Sequence, residues 1–142
     1  MKNQTTLFFV MAAFVLLSAC NQAPVAVPLS WNSLNDPKYD EQLVTLKGYA
    51  ILPTITSGGG SIYLIPEKDS VNSGIRVNPK FGEENNQMKP LPANYTNADL
   101  QFKTDKGETG SYGDYIQVTG KYHILDKANY INEVTKIEKA TP

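Results

Sequence analysis

Few side chains in this 142-residue chain have the reactivity that catalysis or metal binding requires. It contains one histidine, His123, one cysteine, Cys20, and one arginine, Arg76. A catalytic triad needs a nucleophile and an orienting acid beside the imidazole, and no motif such as G-x-S-x-G is present. One thiol excludes an intramolecular disulfide, and a lone imidazole leaves too few ligands for a structural zinc site. We therefore expect no enzyme activity, no metal and no cofactor.

The other polar groups have the pattern of surface and turn residues. His123 falls on the outer face of its predicted strand, where a solvated imidazole is expected. The acids lie in predicted turns, and the group from Asp105 to Glu108 has too few carboxylates for a calcium loop. The formal net charge is −1, which argues against nucleic acid because phosphate contacts supply most of that affinity.

The N-terminus is organised like a secretion signal. Lys2 precedes an apolar run over residues 7–17, which is too short to span a bilayer comfortably. The run ends in Leu17-Ser18-Ala19-Cys20, which resembles the lipobox of bacterial lipoproteins. The resemblance implies that residues 1–19 are removed and that Cys20 is acylated on its sulfur and amine, giving a stable bilayer anchor. An uncleaved signal anchor with a chance cysteine is the alternative.

The residue after the cysteine bears on the location. It is Asn21 rather than aspartate, and by the same resemblance this favours the outer membrane over the inner one. We therefore expect a lipid-anchored protein of the bacterial cell envelope, at the outer membrane and facing the periplasm.

The segment that follows the anchor is rich in proline and asparagine and has little periodicity. Residues 20–37 therefore predict an acylated cysteine and a flexible tether, with the folded domain over residues 38–142. Trp31 is the one large apolar side chain in this tether. It is expected to pack against the domain as a plug, or alternatively to sit in the lipid interface.

Two matched stretches predict the centre of the fold. Leu43 to Leu52 and Gly113 to Leu125 each alternate apolar and polar residues with a period of two, which is typical of a half-buried strand. Laying Gly48 on Gly120 makes the two apolar faces agree. A glycine in mid-strand marks a bulge, a bend or a close backbone approach, so the pair predicts a small, curled barrel.

Shorter strands are predicted around this pair, at Ser61–Ile65, Gly74–Val77, Leu100–Thr104 and Tyr130–Ile137. Between Asn78 and Tyr112 the signal weakens, and prolines argue against a long helix. This region is interpreted as an irregular insertion.

The ordered set of strands resembles an OB-fold, in particular the small OB-fold domains of bacterial envelope proteins. The matching segments are VTLKGY, SIYLI, GIRV, YIQVTGKY and the closing VTKIEK. The resemblance implies an all-β domain with a closed or partly open barrel of five to six strands and an insertion between strands three and four. A β-sandwich or another small barrel is the alternative.

One surface is the candidate binding site. Ile75 and Val77 should face the core, so Arg76 should point outward on the face where OB-folds bind ligands. Tyr63 is expected beside it, and the two form a cation and a stacking platform. The loop Thr54–Gly60 and the turn Asp126–Asn129 would rim this face. The alternative is an ordinary solvated arginine whose stem packs over the sheet.

These observations predict a membrane-anchored, non-catalytic binding or assembly module that captures an envelope protein, peptide or glycan. The alternatives are an accessory domain of a periplasmic enzyme, a small-ligand or haem carrier, and a single-stranded nucleic-acid binder. Periplasmic haem chaperones resemble this chain in having an anchored OB-like domain with a His and a nearby Tyr. Here Tyr130 follows His123 by seven residues across a predicted turn, not in the close His-x-x-x-Tyr spacing of that family, which argues against haem carriage.

Overall fold

The computed structural model describes residues 23–53, 60–70, 74–126 and 128–142, and this part of the chain is all-β. The strands are, in chain order, β1 (Val27–Pro28), β2 (Leu43–Ile51), β3 (Ile62–Ile65), β4 (Ile75–Val77), β5 (Lys80–Phe81), β6 (Gln87–Met88), β7 (Gln101–Lys103), β8 (Thr109–Ser111), β9 (Tyr115–His123) and β10 (Tyr130–Lys139). Short 3-10 helices cover Trp31–Ser33, Pro37–Tyr39 and Asn97–Asp99. The expected signal peptide, Cys20 and the loop residues 54–59 lie outside the described residues.

Five of the strands close into a barrel. Strand β2 pairs with β3, β3 with β4, β4 with β10, and β10 with β9, which returns to β2. The β4–β10 pair is parallel and the other pairs are antiparallel. This is a five-stranded barrel like that of an OB-fold, with β1 as an extra strand beside β2. The predicted all-β, OB-fold-like architecture is confirmed.

The alternating patterns of β2 and β9 place one side of each strand in the barrel interior, as predicted. The inward-facing residues are Val44, Leu46, Gly48 and Ala50 on β2, and Ile116, Val118, Gly120 and Tyr122 on β9. The two strands are antiparallel neighbours, and their register pairs Gly48 with Ile116 and Val44 with Gly120. The two glycines therefore lie at different levels of one strand pair.

Each of these glycines lies where another strand passes close to its backbone. A methyl group on Gly48 would lie 2.7 Å from the carbonyl oxygen of Ile65, and one on Gly120 would lie 2.7 Å from that of Asn132. The second contact falls at a bulge of β10, where the register with β9 shifts between Asn132 and Lys136. Close backbone approach is therefore the reason for both glycines.

The packed domain begins well before residue 38, so the prediction of a flexible tether up to residue 37 is wrong. Strand β1 pairs in parallel with β2, and Leu29 is buried. The indole of Trp31 packs against the core, and its Nε1 donates a hydrogen bond of 2.8 Å to the carbonyl oxygen of Lys47. These apolar side chains bury surface on the barrel, which outweighs the loop-like composition around them. The predicted packing of Trp31 against the domain is confirmed.

The insertion between β4 and β9 is also more regular than predicted. Strands β5, β6, β7 and β8, each two or three residues long, form a four-stranded sheet, and β7 lies within the strand predicted at Leu100–Thr104. Met88, Leu100 and Phe102 are buried in the same hydrophobic cluster as the barrel residues. The side-chain oxygen of Asn86 accepts a hydrogen bond of 2.7 Å from the backbone N–H of Ile137. Strands too short to show periodicity are held here by burial against the barrel.

Candidate functional site

Four side chains form a row across the outer face of the barrel. The strand register pairs Tyr63 with Arg76, Arg76 with Tyr130, and Tyr130 with His123. The row therefore crosses β3, β4, β10 and β9 in spatial order, and all four side chains are half-buried. Arg76 points outward between the buried Ile75 and Val77, as predicted. We call these four residues the aromatic row.

Three members of the aromatic row are stacked side by side. The guanidinium carbon of Arg76 lies 5.4 Å from the ring centre of Tyr130. The Tyr130 and His123 rings lie 4.8 Å apart with an angle of 15° between their planes. Arg76 and His123 belong to strands on opposite sides of β10, so the Tyr130 ring stands between them. Stacking of this kind fixes the orientation of the rings.

The imidazole at one end of the row is held in place by a carboxylate. His123 Nδ1 lies 2.7 Å from Glu41 Oε1, and the other oxygen of Glu41 pairs with the ammonium of Lys121. The hydrogen bond from Lys121 holds the pKa of Glu41 below its ordinary value, and the nearby His123 acts in the same direction. The His123 side chain is 17% exposed, and its Nε2 is buried without a partner. The expectation of a solvated histidine is therefore wrong.

A second row runs beside the first, and each of its members is two residues from a member of the aromatic row in the sequence. It contains Ser61, just before β3, Asn78, just after β4, and the register partners Asn132 and Lys121 on β10 and β9, and we call it the amide row. Ser61 Oγ donates to Asn78 Oδ1 at 2.8 Å, and Asn78 Nδ2 donates to Asn132 Oδ1 at 2.7 Å. These bonds order the row and leave N–H groups of both asparagines for other acceptors.

Arg76 has no anionic partner in the part of the chain that the structure describes. It makes no ion pair and no hydrogen bond there, and its Nε is buried and unpartnered. Burial of a charged group without hydrogen bonds is costly, so this is an unusual state for the one guanidinium of the chain. The two terminal nitrogens of the guanidinium are not buried in the same way, so they are the atoms that an incoming anion would contact.

Tyr63 lies next to Arg76 across the β3–β4 pair, as expected, but its ring has a different neighbour. A methyl group on Gly74 would lie 3.2 Å from Tyr63 Cδ1, so the ring covers this glycine. The stacking partner of the guanidinium is Tyr130, which the sequence analysis did not assign to the site. The sequence offered one signal for Tyr130: it alternates with Ile131 in the last predicted strand, which places the two side chains on opposite faces.

The turn between β9 and β10 lies at the His123 end of the aromatic row. Asn129 donates from Nδ2 to the carbonyl oxygen of Leu34 at 3.0 Å, which ties this turn to the N-terminal segment. Leu125 is 54% exposed beside it. The other expected rim, loop residues 54–59, lies outside the described residues, so its position against Arg76 stays a prediction.

Asp40, Glu41 and His123 form a group with the donor atoms of a metal site, all within 4.8 Å of one another. These atoms already have protein partners. Asp40 Oδ1 accepts the backbone N–H of Ile124 at 2.9 Å, and Glu41 pairs with both His123 and Lys121. A cation would have to displace the ammonium of Lys121, so the group acts as an ion-pair network that orients His123.

A groove of about 210 Å³ lies on the small sheet, away from the two rows. Its lining residues include Lys89, Gln101, Phe102 and Lys103. Lys89 pairs with Glu83 at 3.6 Å, and Lys103 donates to Thr109 Oγ1 at 2.8 Å. Both cations of the groove therefore have partners, whereas the cation of the aromatic row does not.

Comparisons with protein families, with curated proteins and with solved structures found no match for this chain. Within the described ranges, no helix has the length and apolar character needed to cross a membrane. The expected anchor, Cys20, precedes those ranges.

Proposed function

We propose that this protein is a membrane-anchored, non-catalytic binding module of the bacterial cell envelope, held to the bilayer through acylated Cys20. Its partner is an envelope protein or glycan bound on the outer barrel face that carries the aromatic and amide rows. The proposal assigns Arg76 and Tyr63 to this binding surface and adds Tyr130.

A single observation carries the proposal: the guanidinium of Arg76 has no anionic partner in the described chain, although it is half-buried. An arginine presents a fixed fork of donors suited to carboxylates and phosphates. A bound anion would satisfy this group, so the barrel face gains more from a partner than a surface whose charges are already paired.

A pull-down from detergent-extracted envelopes, using the full-length chain with its own anchor, tests this function. Arg76→Ala and Tyr63→Ala should each capture less partner than the parent, whereas Lys106→Ala, an exposed turn lysine, should capture as much. Melting curves recorded alongside should show that Arg76→Ala loses only the stacking on Tyr130, about 0.5–1 kcal/mol. Equal capture by all variants would contradict the proposal.

A small-ligand or haem carrier is the second candidate, because the rings of His123 and Tyr130 lie in contact. The geometry favours it less. His123 Nδ1 is engaged by Glu41, and Nε2 is buried against the row. An axial ligand bond to this imidazole would require that Glu41 be released or that Tyr130 move. Haem titration of the full-length chain should give no new absorbance band, and a band lost in His123→Ala would favour the carrier.

A further inference from the structure

We propose that the ligand of this barrel face is an acidic glycan, whose carboxylate pairs with Arg76 and whose hydroxyl groups hydrogen-bond to the amide row. The inference rests on the proposed binding function and adds the class of ligand.

The aromatic row supplies an anion-binding group that is already oriented. Tyr130 stands between Arg76 and His123, and His123 is held by Glu41, so the stack continues from the guanidinium to an imidazole that a carboxylate orients. Because these side chains are already held in position, less side-chain entropy is lost when a ligand binds to them. A planar fork that can make two parallel hydrogen bonds suits a carboxylate as well as it suits a phosphate.

The amide row supplies donors at a distance that suits a sugar. Asn132 lies two residues from Tyr130 on β10, and Asn78 lies two residues from Arg76, just past the end of β4, which corresponds to about 6.5–7 Å of extended chain. Asn78 donates to Asn132, and each amide keeps at least one N–H for an outside acceptor. A carboxylate on Arg76 therefore brings the hydroxyl groups of the same or the next sugar over these amides.

The same face is poorly suited to a peptide. Tyr63, Arg76 and Tyr130 each have a register partner on both neighbouring strands, so β3, β4 and β10 offer no free edge there to a peptide strand. The large apolar side chains that are exposed in the described chain are Val25, Val27, Phe81, Tyr112 and Leu125. None belongs to either row, and the Tyr130 ring is packed between Arg76 and His123, so it cannot enter a pocket of a partner as an aromatic anchor would.

A nucleic acid is also disfavoured on this face. OB-folds use this region for oligonucleotides as well as oligosaccharides. Here the Lys121 ammonium is paired with Glu41, and the chain has a net charge of −1, so Arg76 is the one cation of the two rows without an acidic partner. Tyr130 has a neighbour on each side, which removes the open ring face on which bases stack.

Titration of the ¹⁵N-labelled full-length chain in detergent micelles tests the ligand class. The probes are a hexamer of galacturonic acid, a hyaluronan hexamer, the methyl ester of the galacturonic acid hexamer, and hexaglutamate. At least one acidic glycan should shift the amide signals of Arg76, Asn78 and Asn132, and esterification should weaken binding at least about tenfold. Hexaglutamate, which carries carboxylates without sugar hydroxyls, should bind more weakly than the glycans.

Variants of the same chain assign the effect to the guanidinium. Arg76→Gln should lose at least about tenfold in affinity for the acidic glycan. Arg76→Lys, which keeps the charge without the fork, should fall between the parent and Arg76→Gln. Lys106→Gln, which removes an exposed charge elsewhere, should bind as the parent does. Melting curves should show that the Arg76 variants remain folded.

Several results would overturn this assignment: no binding of either acidic glycan at about 10 mM, equal binding of acid and ester, tighter binding of hexaglutamate, or no effect of Arg76→Gln. The envelope pull-down then separates the two proposals. If Arg76→Ala still lowers capture, the binding function stands with another class of ligand. If Arg76→Ala has no effect there either, both proposals fail.

Discussion

The rings of His123 and Tyr130 are stacked, with their centres 4.8 Å apart, although six residues separate them along the chain. They are direct register partners at the end of the β9–β10 pair. The turn between β9 and β10 brings them together, because an antiparallel pair aligns the residues on either side of its connection. Their contact is a consequence of this strand pairing, and the stack is the centre of the candidate site.

The lipid anchor can be tested directly at Cys20. Cells that express the full-length chain should incorporate a clickable fatty acid into the protein, because Leu17-Ser18-Ala19-Cys20 follows an apolar run of signal-peptide length. Cys20→Ala should abolish the label and leave the precursor uncleaved, whereas Ser18→Ala, which keeps a small residue before the cysteine, should retain it. Label that persists in Cys20→Ala would remove the basis for the anchor.

The two inward glycines of β2 and β9 should not accept a larger residue. A β-carbon at Gly48 would lie 2.7 Å from the Ile65 carbonyl oxygen, and one at Gly120 would lie 2.5 Å from Ile131 Cγ2. Gly48→Val and Gly120→Val should each lower the free energy of unfolding by about 1–3 kcal/mol, because β3 or β10 must shift away. Denaturant unfolding measures this. Lys47→Val, on the exposed side of β2, is the matched control and should change stability little.

The packing of Trp31 gives a prediction that separates its two expected roles. The indole covers Gly48, and its Nε1 bonds to the Lys47 carbonyl oxygen, so Trp31→Ala should cost about 1–3 kcal/mol of stability. Val25→Ala, a change at a side chain that is 86% exposed, should leave the melting temperature unchanged. A seat in the lipid interface would instead give Trp31→Ala normal melting and weaker association with vesicles.

The ion pairs of Glu41 predict a specific dependence of stability on pH. The pKa of Glu41 in the folded protein is lowered by Lys121 and His123, from an ordinary value of 4.5. Its ionised form therefore stabilises the fold at pH values above about 4.5, and this contribution is lost as the pH falls through the lowered pKa. Glu41→Gln should melt below the parent at neutral pH, and the two curves should converge in acid.

The control for this experiment is Glu108→Gln, which alters an exposed acid with no ion pair in the described chain. Its difference from the parent should be small at every pH, because no partner is lost. A constant gap between Glu41→Gln and the parent down to strongly acidic pH would show that Glu41 acts through its position rather than its charge.

Single-stranded oligonucleotides should bind the full-length chain no better than an uncharged polymer does at physiological salt. The net charge of −1 and the pairing of Lys121 with Glu41 leave too little positive charge to release counterions from a phosphate backbone. Fluorescence anisotropy with labelled DNA and RNA measures this. Submicromolar binding that weakens steeply with added salt would contradict the prediction.

The sequence by itself determined the fold class and the inward face of the two long strands. A period of two is a local property, and nine-residue strands such as β2 and β9 are long enough to display it. The same period placed Arg76 outward, because both of its neighbours are apolar. The stacking partner of that arginine, Tyr130, could not be assigned in this way, because cross-strand neighbours depend on the register and not on one strand alone.

Tertiary structure alone decided the rest. Segments too short for periodicity, such as β1 and the small sheet, became ordered because they bury Leu29, Met88 and Phe102 on the barrel. The site followed from barrel closure, which brings β4 and β9 to either side of β10 and thereby stacks Arg76, Tyr130 and His123. Such contacts join residues far apart in the chain, and only the closed sheet places them in one row.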